Sequence, residues 1–225
     1  MRRNIILFLI ISFFIFDGCT LAIKNERKTA AFQFPVAVSL QDRDNDKIND
    51  FADILQSARS QIGVVTEYDT SYYTNAFPPP DRGACADVIW RALQGSGYDF
   101  KTLIDHDIKK FPQDYKEDPV PDPNINFRRV ENIRTFLEKY ARKLTTKAVP
   151  FDQENLKEWQ AGDIITYAQI PGGLWHIAII SDQRRPDGVP LLIHNYGRGV
   201  REDDYLLRWP TKITGHYRWE NIKQL

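Results

Sequence analysis

The apolar positions of this chain change their period along its length. Phe51, Ile54, Leu55, Ala58 and Ile62 recur at three-to-four-residue spacing and predict a helix over 49–62, stopped by Gly63. Ala84, Val88, Ile89, Ala92 and Leu93 predict a second helix over 84–95, closed by Gly95 and Gly97. Val130, Ile133, Phe136, Leu137, Tyr140 and Leu144 predict a third over 127–144. Residues 64–83, rich in Tyr, Pro and Asp, read as a loop whose Pro78-Pro79-Pro80 run is extended. Residues 105–125 carry prolines at 112, 119, 121 and 123 and read as irregular surface. Beyond them the period becomes two: 164–169, 175–181, 191–195 and 213–219 read as strands between Pro, Gly and Asp turns. Helices first and strands later imply an α+β fold, with N-terminal helices packed on an antiparallel sheet.

The first residues follow another logic. Arg2 and Arg3 precede Ile5–Phe16, apolar but for Ser12, and then Gly18, Cys19, Thr20, Leu21 and Ala22. That is the layout of an export signal, and the run is short of the roughly 20 apolar residues of a membrane span. Phe16-Asp17-Gly18-Cys19 resembles a lipoprotein cleavage site with Cys19 as the acylated residue. The expected organisation is a signal peptide at 1–22, a tether at 23–48 and one domain at 49–225. The expected location is the periplasm, free or as a lipid-anchored envelope protein, with the membrane met only through that anchor. Thirty basic and thirty acidic residues balance, and losing Arg2, Arg3 and Asp17 with a leader leaves the charge close to neutral. A nucleic-acid partner, which favours a basic excess, is not expected.

Cys19 and Cys85 are the two cysteines, so no disulfide framework survives removal or acylation of Cys19. Cys85 is then either a buried core cysteine or a reactive thiol. Its place in the first turn of a predicted helix, after Pro80-Asp81-Arg82-Gly83, favours a thiolate, because free N–H groups and the helix dipole stabilise negative charge there. The same N–H groups can hold an oxyanion, and Gly83 lets backbone approach a substrate. A cysteine nucleophile needs a base. By strand alternation His176 shares a face with Leu174, Ala178 and Ile180, and His194 shares one with Leu192. One imidazole can take the thiol proton while the other orients it. An Asp187-Gly188 two-residue hairpin would place His176 opposite Gly199, whereas pairing it with His194 needs a wider loop centred near Arg185 or a bulge. Asn195 is the orienting residue if the register differs by one. Tyr68, with Tyr72 and Tyr73, lines a cleft or anchors the loop; Asp81 and Arg82 are candidate substrate contacts. Trp175 shields His176 or fills core, and Arg128 and Arg129 hold a substrate carboxylate or form a solvated face. His106 and His216 read as structural.

The order Cys85 at a helix start, Gly162-Asp163 opening a strand, His176 on the next and Ile193-His194 on the one after resembles the NlpC-type cell-wall peptidases of the papain-like superfamily. The similarity spans roughly residues 60–218. It implies a papain-like fold and a Cys85–His176–His194 triad without a catalytic cofactor. It also implies a peptide or amide substrate of the cell envelope, such as a peptidoglycan stem peptide. Ala84-Cys85-Ala86-Asp87 stands where those enzymes have Asp-Cys-Ser-Gly, and 97–126 is a long insertion. Asp81-Arg82-Gly83-Ala84-Cys85-Ala86-Asp87, with Asp122-Pro123-Asn124-Ile125 and Ile213-Thr214-Gly215-His216-Tyr217-Arg218, more narrowly resembles an exported bacterial family of unassigned function. The rival readings are an acyl-transfer or lipid/thioester hydrolase with the same triad, a non-catalytic envelope-binding module, and a calcium-dependent adhesion protein.

The last rests on the segment 42–53. Asp42, Asp44, Asp46, Asp50 and Asp53 occupy positions 1, 3, 5, 9 and 12 of a calcium-loop spacing, with the Ile48 carbonyl at position 7. The segment resembles EF-hand and thrombospondin-type loops, except that Lys47 takes the glycine's place and Asp53 that of the longer Glu. A structural Ca²⁺ is the expected ligand. The alternative is an acid-rich helix N-terminus favoured by the dipole.

Overall fold

The computed structural model describes residues 32, 34–115, 120–220 and 222; the expected signal peptide and Cys19 lie outside them. The chain is α+β. Helix α1 (Asp50–Ser60) is capped by Asn49, whose side chain accepts the Ala52 N–H. A short parallel pair, β1 (Glu67–Tyr68) and β2 (Arg82–Gly83), leads into α2 (Cys85–Gly95). Helix α3 (Phe100–Lys110) follows, and then α4 (Val130–Tyr140), entered through a 3₁₀ turn at Asn126–Arg128. A short strand β3 (Arg142–Lys143) and helix α5 (Gln153–Leu156) precede β4 (Ile164–Ile170), β5 (Leu174–Arg184), β6 (Pro190–Asn195), β7 (Val200–Asp203) and β8 (Ile213–Arg218). The main sheet is antiparallel, in the order β3-β8-β4-β5-β6-β7.

Alternation divides the sheet between two cores. Ile164, Ile177, Ile179, Ile193, Val200 and Tyr217 face the helices, where they join Ile54, Val88, Ile89 and Leu93. Ile165, Tyr167, Ala178, Ile180 and Leu192 face the other way, under Leu156, Trp159, Leu206 and Trp209. The segment expected as a tether touches the domain: Phe34 packs on the second core and the Ala37 N–H donates to Gln160 Oε1 at 2.9 Å. Residues 105–125, expected to be irregular, begin inside α3, which buries Phe100, Leu103, Ile104 and Ile108. Gly162-Asp163 has a structural task. A Cβ at Gly162 would lie 2.8 Å from the Phe51 carbonyl oxygen, and buried Asp163 accepts from Arg218 at 2.7 and 2.8 Å and from His216 Nε2 at 3.0 Å.

The N-terminus of α2 is held by charge. Ala84, the capping residue, has no side-chain acceptor, but its own N–H donates to Asp87 Oδ2 at 2.6 Å. Asp87 in turn receives Nε and Nη2 of Arg128 at 2.8 and 3.0 Å. The side chains are 0% and 3% exposed, so the pair is in the interior. Arg128 also donates to the Ser71 carbonyl at 2.8 Å. It is therefore neither a solvated residue nor a free substrate-binding cation; its guanidinium is committed to Asp87. Gly83 is explained by the same group, since a Cβ there would lie 2.9 Å from Asp87 Cβ and Oδ2. The glycine makes room for a carboxylate of its own chain, not for a substrate.

Removing one partner of such a pair leaves an uncompensated buried charge, at a cost of about 3–5 kcal/mol. Arg128→Ala should lower the unfolding free energy by that order in urea titration. Asp87→Leu combined with Arg128→Met should recover much of the loss; a double variant as unstable as the single one would refute the ion-pair assignment.

Candidate active site

Strands β5 and β6 part company where the chemistry-bearing residues lie. Their hairpin turns through a three-residue loop, with Arg185 N–H to Val189 O at 2.9 Å and Gly188 at φ 85°. A register shift between Ile180 and Arg184 then sets Ile179 opposite Ile193. The two-residue hairpin is not formed; the bulge alternative is, although it sets Ile179 and not His176 against the β6 register. The ladder stops at Ile179–Ile193, and the Asn195 amide turns away to donate to the Glu67 and Gly83 carbonyls at 3.1 and 2.8 Å. Asn195 thus anchors the strands ahead of α2 and does not orient His176.

Cys85 sits against this opening. It opens α2 and belongs, with Ile177, to the helix-side core, and the nearby N–H groups of Ile177, Ala86 and Cys85 favour its charged form. Burial first, and then the neighbouring Cys85, push the Tyr68 hydroxyl up. The sulfur approaches from the helix side of the sheet. The His176 ring lies on the other side, stacked edge-on to Trp209 and Tyr196 at centroid distances of 4.7 and 5.8 Å. His176 Nε2 meets His194 Nδ1 at 2.8 Å, and His194 Nε2 meets Asp203 Oδ1 at 2.8 Å.

This chain of contacts defines the protons. A carboxylate only accepts, so His194 Nε2 is the donor to Asp203, and in the tautomer with its single proton there Nδ1 is an acceptor. His176 Nε2 must then be the donor, and His176 Nδ1 holds the lone pair of a base. Asp203 was not foreseen from the sequence. It ends a four-residue strand, Val-Arg-Glu-Asp, with no apolar alternation to announce it. It reaches His194 diagonally, because β7 pairs His194 with Arg201 and Leu192 with Asp203.

Burial overrules the expected thiolate. Cys85 is 4% exposed and His176 1%. Desolvation pushes the thiol up to about 11, against the lowering by N–H donors from Ile177, Ala86 and Cys85. A helix N-terminus is worth about 0.3–1 kcal/mol, less than one pKa unit, so it loses to burial. The same desolvation, with a smaller contribution from His194, holds the His176 imidazole well below its ordinary range. Burial thus favours the neutral form of each group, with the thiol on the helix side of the sheet and the imidazole on the other.

The remaining candidates divide. Asp81 and Arg82 pair with each other at 3.1 Å, and Arg82 pairs with Glu67 at 3.2 Å, on the surface of the β1–β2 ribbon. Their charges are already matched. Trp175 packs on the helix-side core near the Arg134 guanidinium, so it does not cover His176; Trp209 and Tyr196 do. Adjacency in sequence misled here, because alternation sends neighbours to opposite faces. A cleft of about 360 Å³ lies beyond Trp209, between Lys147, Ala148, Leu206, Thr211 and Ile213. Asp42, Asp44 and Asp46 converge elsewhere, at the start of α1. His216 stacks on Trp159 at 4.2 Å, a structural role.

These features define an α+β domain with a cysteine at a helix N-terminus and an imidazole pair backed by a carboxylate. The chain belongs to the DUF1287 family, described as a domain of unknown function, whose model matches residues 55–219. It is 37% identical over 193 residues to the uncharacterized protein YijF of Escherichia coli (strain K12), covering 82% of this chain and 86% of that one. No solved structure matches the chain significantly.

Two pH dependences follow. Alkylation of Cys85 should rise with pH toward an inflection above pH 10, and at pH 7 should run about 300-fold slower than a free thiol of pKa about 8.5. An inflection below 8.5 would show a preformed ion pair instead. For His176 the folded pKa is depressed, so the unfolded chain binds the extra proton and stability falls as pH drops below about 6.5. His176→Gln should flatten the slope of unfolding free energy between pH 6.5 and 4.5 by up to about 1.4 kcal/mol per pH unit. An unchanged slope would refute the buried neutral imidazole.

Proposed function

We propose that the domain is an exported thiol hydrolase that cleaves an amide or peptide bond, with peptides of the cell envelope, such as peptidoglycan stem peptides, as substrates. The observation that carries this reading is the His176–His194–Asp203 chain of contacts, together with Cys85 as the first residue of α2. The order of Cys85, His176 and His194, each on the element the resemblance requires, supports a papain-like arrangement of helix and sheet.

In the reaction, the Cys85 S–H proton passes to His176 Nδ1 and the sulfur attacks the substrate carbonyl carbon. The carbonyl π pair moves to oxygen. The Cys85 N–H and the Tyr68 hydroxyl are the donors positioned to receive the oxyanion. Collapse expels the amine, which takes the proton back from His176. Water then attacks the thioester with His176 as base, releasing the acid and restoring the thiol. His194 and Asp203 act on His176 by fixing its tautomer. The buried, neutral resting pair means that substrate entry opens the Trp209–Tyr196 cover and drives ionisation.

Burial of Cys85 also favours a second reading, a non-catalytic envelope-binding module in which the cysteine only fills core. Hydrolysis of purified stem peptides, followed by chromatography, separates the two. Cys85→Ala should abolish turnover, and His176→Ala should lower kcat by about 10²–10⁴-fold. Asp203→Asn should lower kcat with little change in KM, because it acts through the His176 tautomer. Stem-peptide binding that persists in Cys85→Ala while the wild type turns nothing over would establish the binding module. Turnover of thioesters but not amides would move the assignment to acyl transfer.

A further inference from the structure

The acidic segment ahead of α1 lies outside the matched family range and outside the chemistry above. The carboxylates of Asp42, Asp44 and Asp46 each offer an oxygen within 4.8 Å of the others, and all three are exposed. The loop that gathers them is tightly wound. The Asp46 and Lys47 N–H groups donate to Asp42 at 3.1 and 3.0 Å, and the Ile48 N–H donates to Asp46 at 2.8 Å. Lys47, at the position where calcium loops carry glycine, takes φ 78°.

A group of surface acids carries nothing by itself. The independent observation is Asp53. It projects from the first turn of α1, is 4% exposed, and its Oδ2 is buried without a hydrogen-bond partner. A buried carboxylate oxygen left unpaired is costly, and native interiors rarely contain one. Asp53 stands one turn after Asp50, on the face of α1 where Asp50 receives the Arg43 N–H of the loop. Among the described residues no lysine or arginine forms a salt bridge with Asp42, Asp44, Asp46 or Asp53. Asp50 is committed elsewhere, to the Tyr98 hydroxyl and to the Arg43 N–H at 2.8 Å, so it braces the loop and is not a ligand.

We propose that Asp42, Asp44, Asp46 and Asp53, with the Ile48 carbonyl and water, form a Ca²⁺ site that fastens the N-terminal loop to α1. Four carboxylates and a carbonyl supply the all-oxygen ligand set of a hard cation. Calcium, which accepts six to eight ligands in flexible geometry, suits an open loop better than magnesium, which demands a near-ideal octahedron. The site is structural. The loop leans on Gly97, where a Cβ would lie 3.1 Å from Asp44 Cβ, just past the C-terminus of α2. Eleven residues of helix, about 16 Å, separate that end from Cys85. Calcium should therefore govern the seating of α1 and leave thiol chemistry unchanged.

The test is isothermal titration of the chelator-treated full chain with CaCl₂, paired with thermal unfolding. One Ca²⁺ per chain and a rise in Tm of about 5 °C or more at saturating metal are expected. Mg²⁺ at the same concentration should give a smaller shift. Asp44→Ala, an exposed change that leaves the core intact, should weaken Ca²⁺ at least tenfold. Asp53→Asn should do the same. The absence of both binding heat and a Tm shift would overturn the proposal, as would undiminished affinity in Asp44→Ala.

Discussion

The buried Asp87–Arg128 pair is the constraint on which the arrangement of the site depends. The first turn of a helix needs acceptors for its free N–H groups, and Ala84 cannot provide one. Asp87 instead reaches back from inside the helix to accept the Ala84 N–H, and a carboxylate so deep in the protein must be matched. Arg128 matches it and carries bonds onward to the loop around Ser71. One side chain therefore explains the glycine at 83, the alanine at 84, the position of Cys85 and the docking of the turn before α4. This is a role for charge in specifying structure more than in adding stability, since a well-packed apolar substitute can serve as well energetically.

A second constraint is the parting of β5 and β6. In a continuous ladder the Ile177 N–H would bond to a neighbouring strand. The ladder ends at Ile179–Ile193, Asn195 turns toward Glu67 and Gly83, and the Ile177 N–H is left on the side where it favours the charged form of Cys85. The register shift at 180–184 and the asymmetry of the hairpin are therefore part of the site, as bulges beside functional residues commonly are.

Much of this was legible in the sequence. The 3–4 spacing located α1, α2 and α4, and the period of two located β4, β5, β6 and β8 within a few residues. The shared face of His176 with Ala178 and Ile180 followed from alternation alone. What was hidden depends on partners distant in sequence. Helix α3 was masked by the prolines that follow it. Asp203 lies on a short polar strand, and its role exists only through a diagonal contact with His194. Arg128 reads as surface until Asp87 is seen to be buried. The ionisation of Cys85 could not be read either: helix position argues for a thiolate, and only the surrounding packing reveals that desolvation is the larger effect.

That reversal bears on how such a site operates. A thiolate–imidazolium pair is the reactive form, yet both partners here resist charge for the same reason, exclusion of water. Forming the pair in the closed state transfers a proton from a group raised to about 11 to one held well below the ordinary imidazole range, which is uphill by several pKa units. His194 adds to that cost, and the compensating charge is Asp203, which is 26% exposed and bonded to His194. The rest must come from whatever displaces Trp209 and Tyr196. On the proposed hydrolase reading, reactivity would be coupled to occupancy: a buried thiol is inert, and only a group that displaces its cover would turn it into a nucleophile.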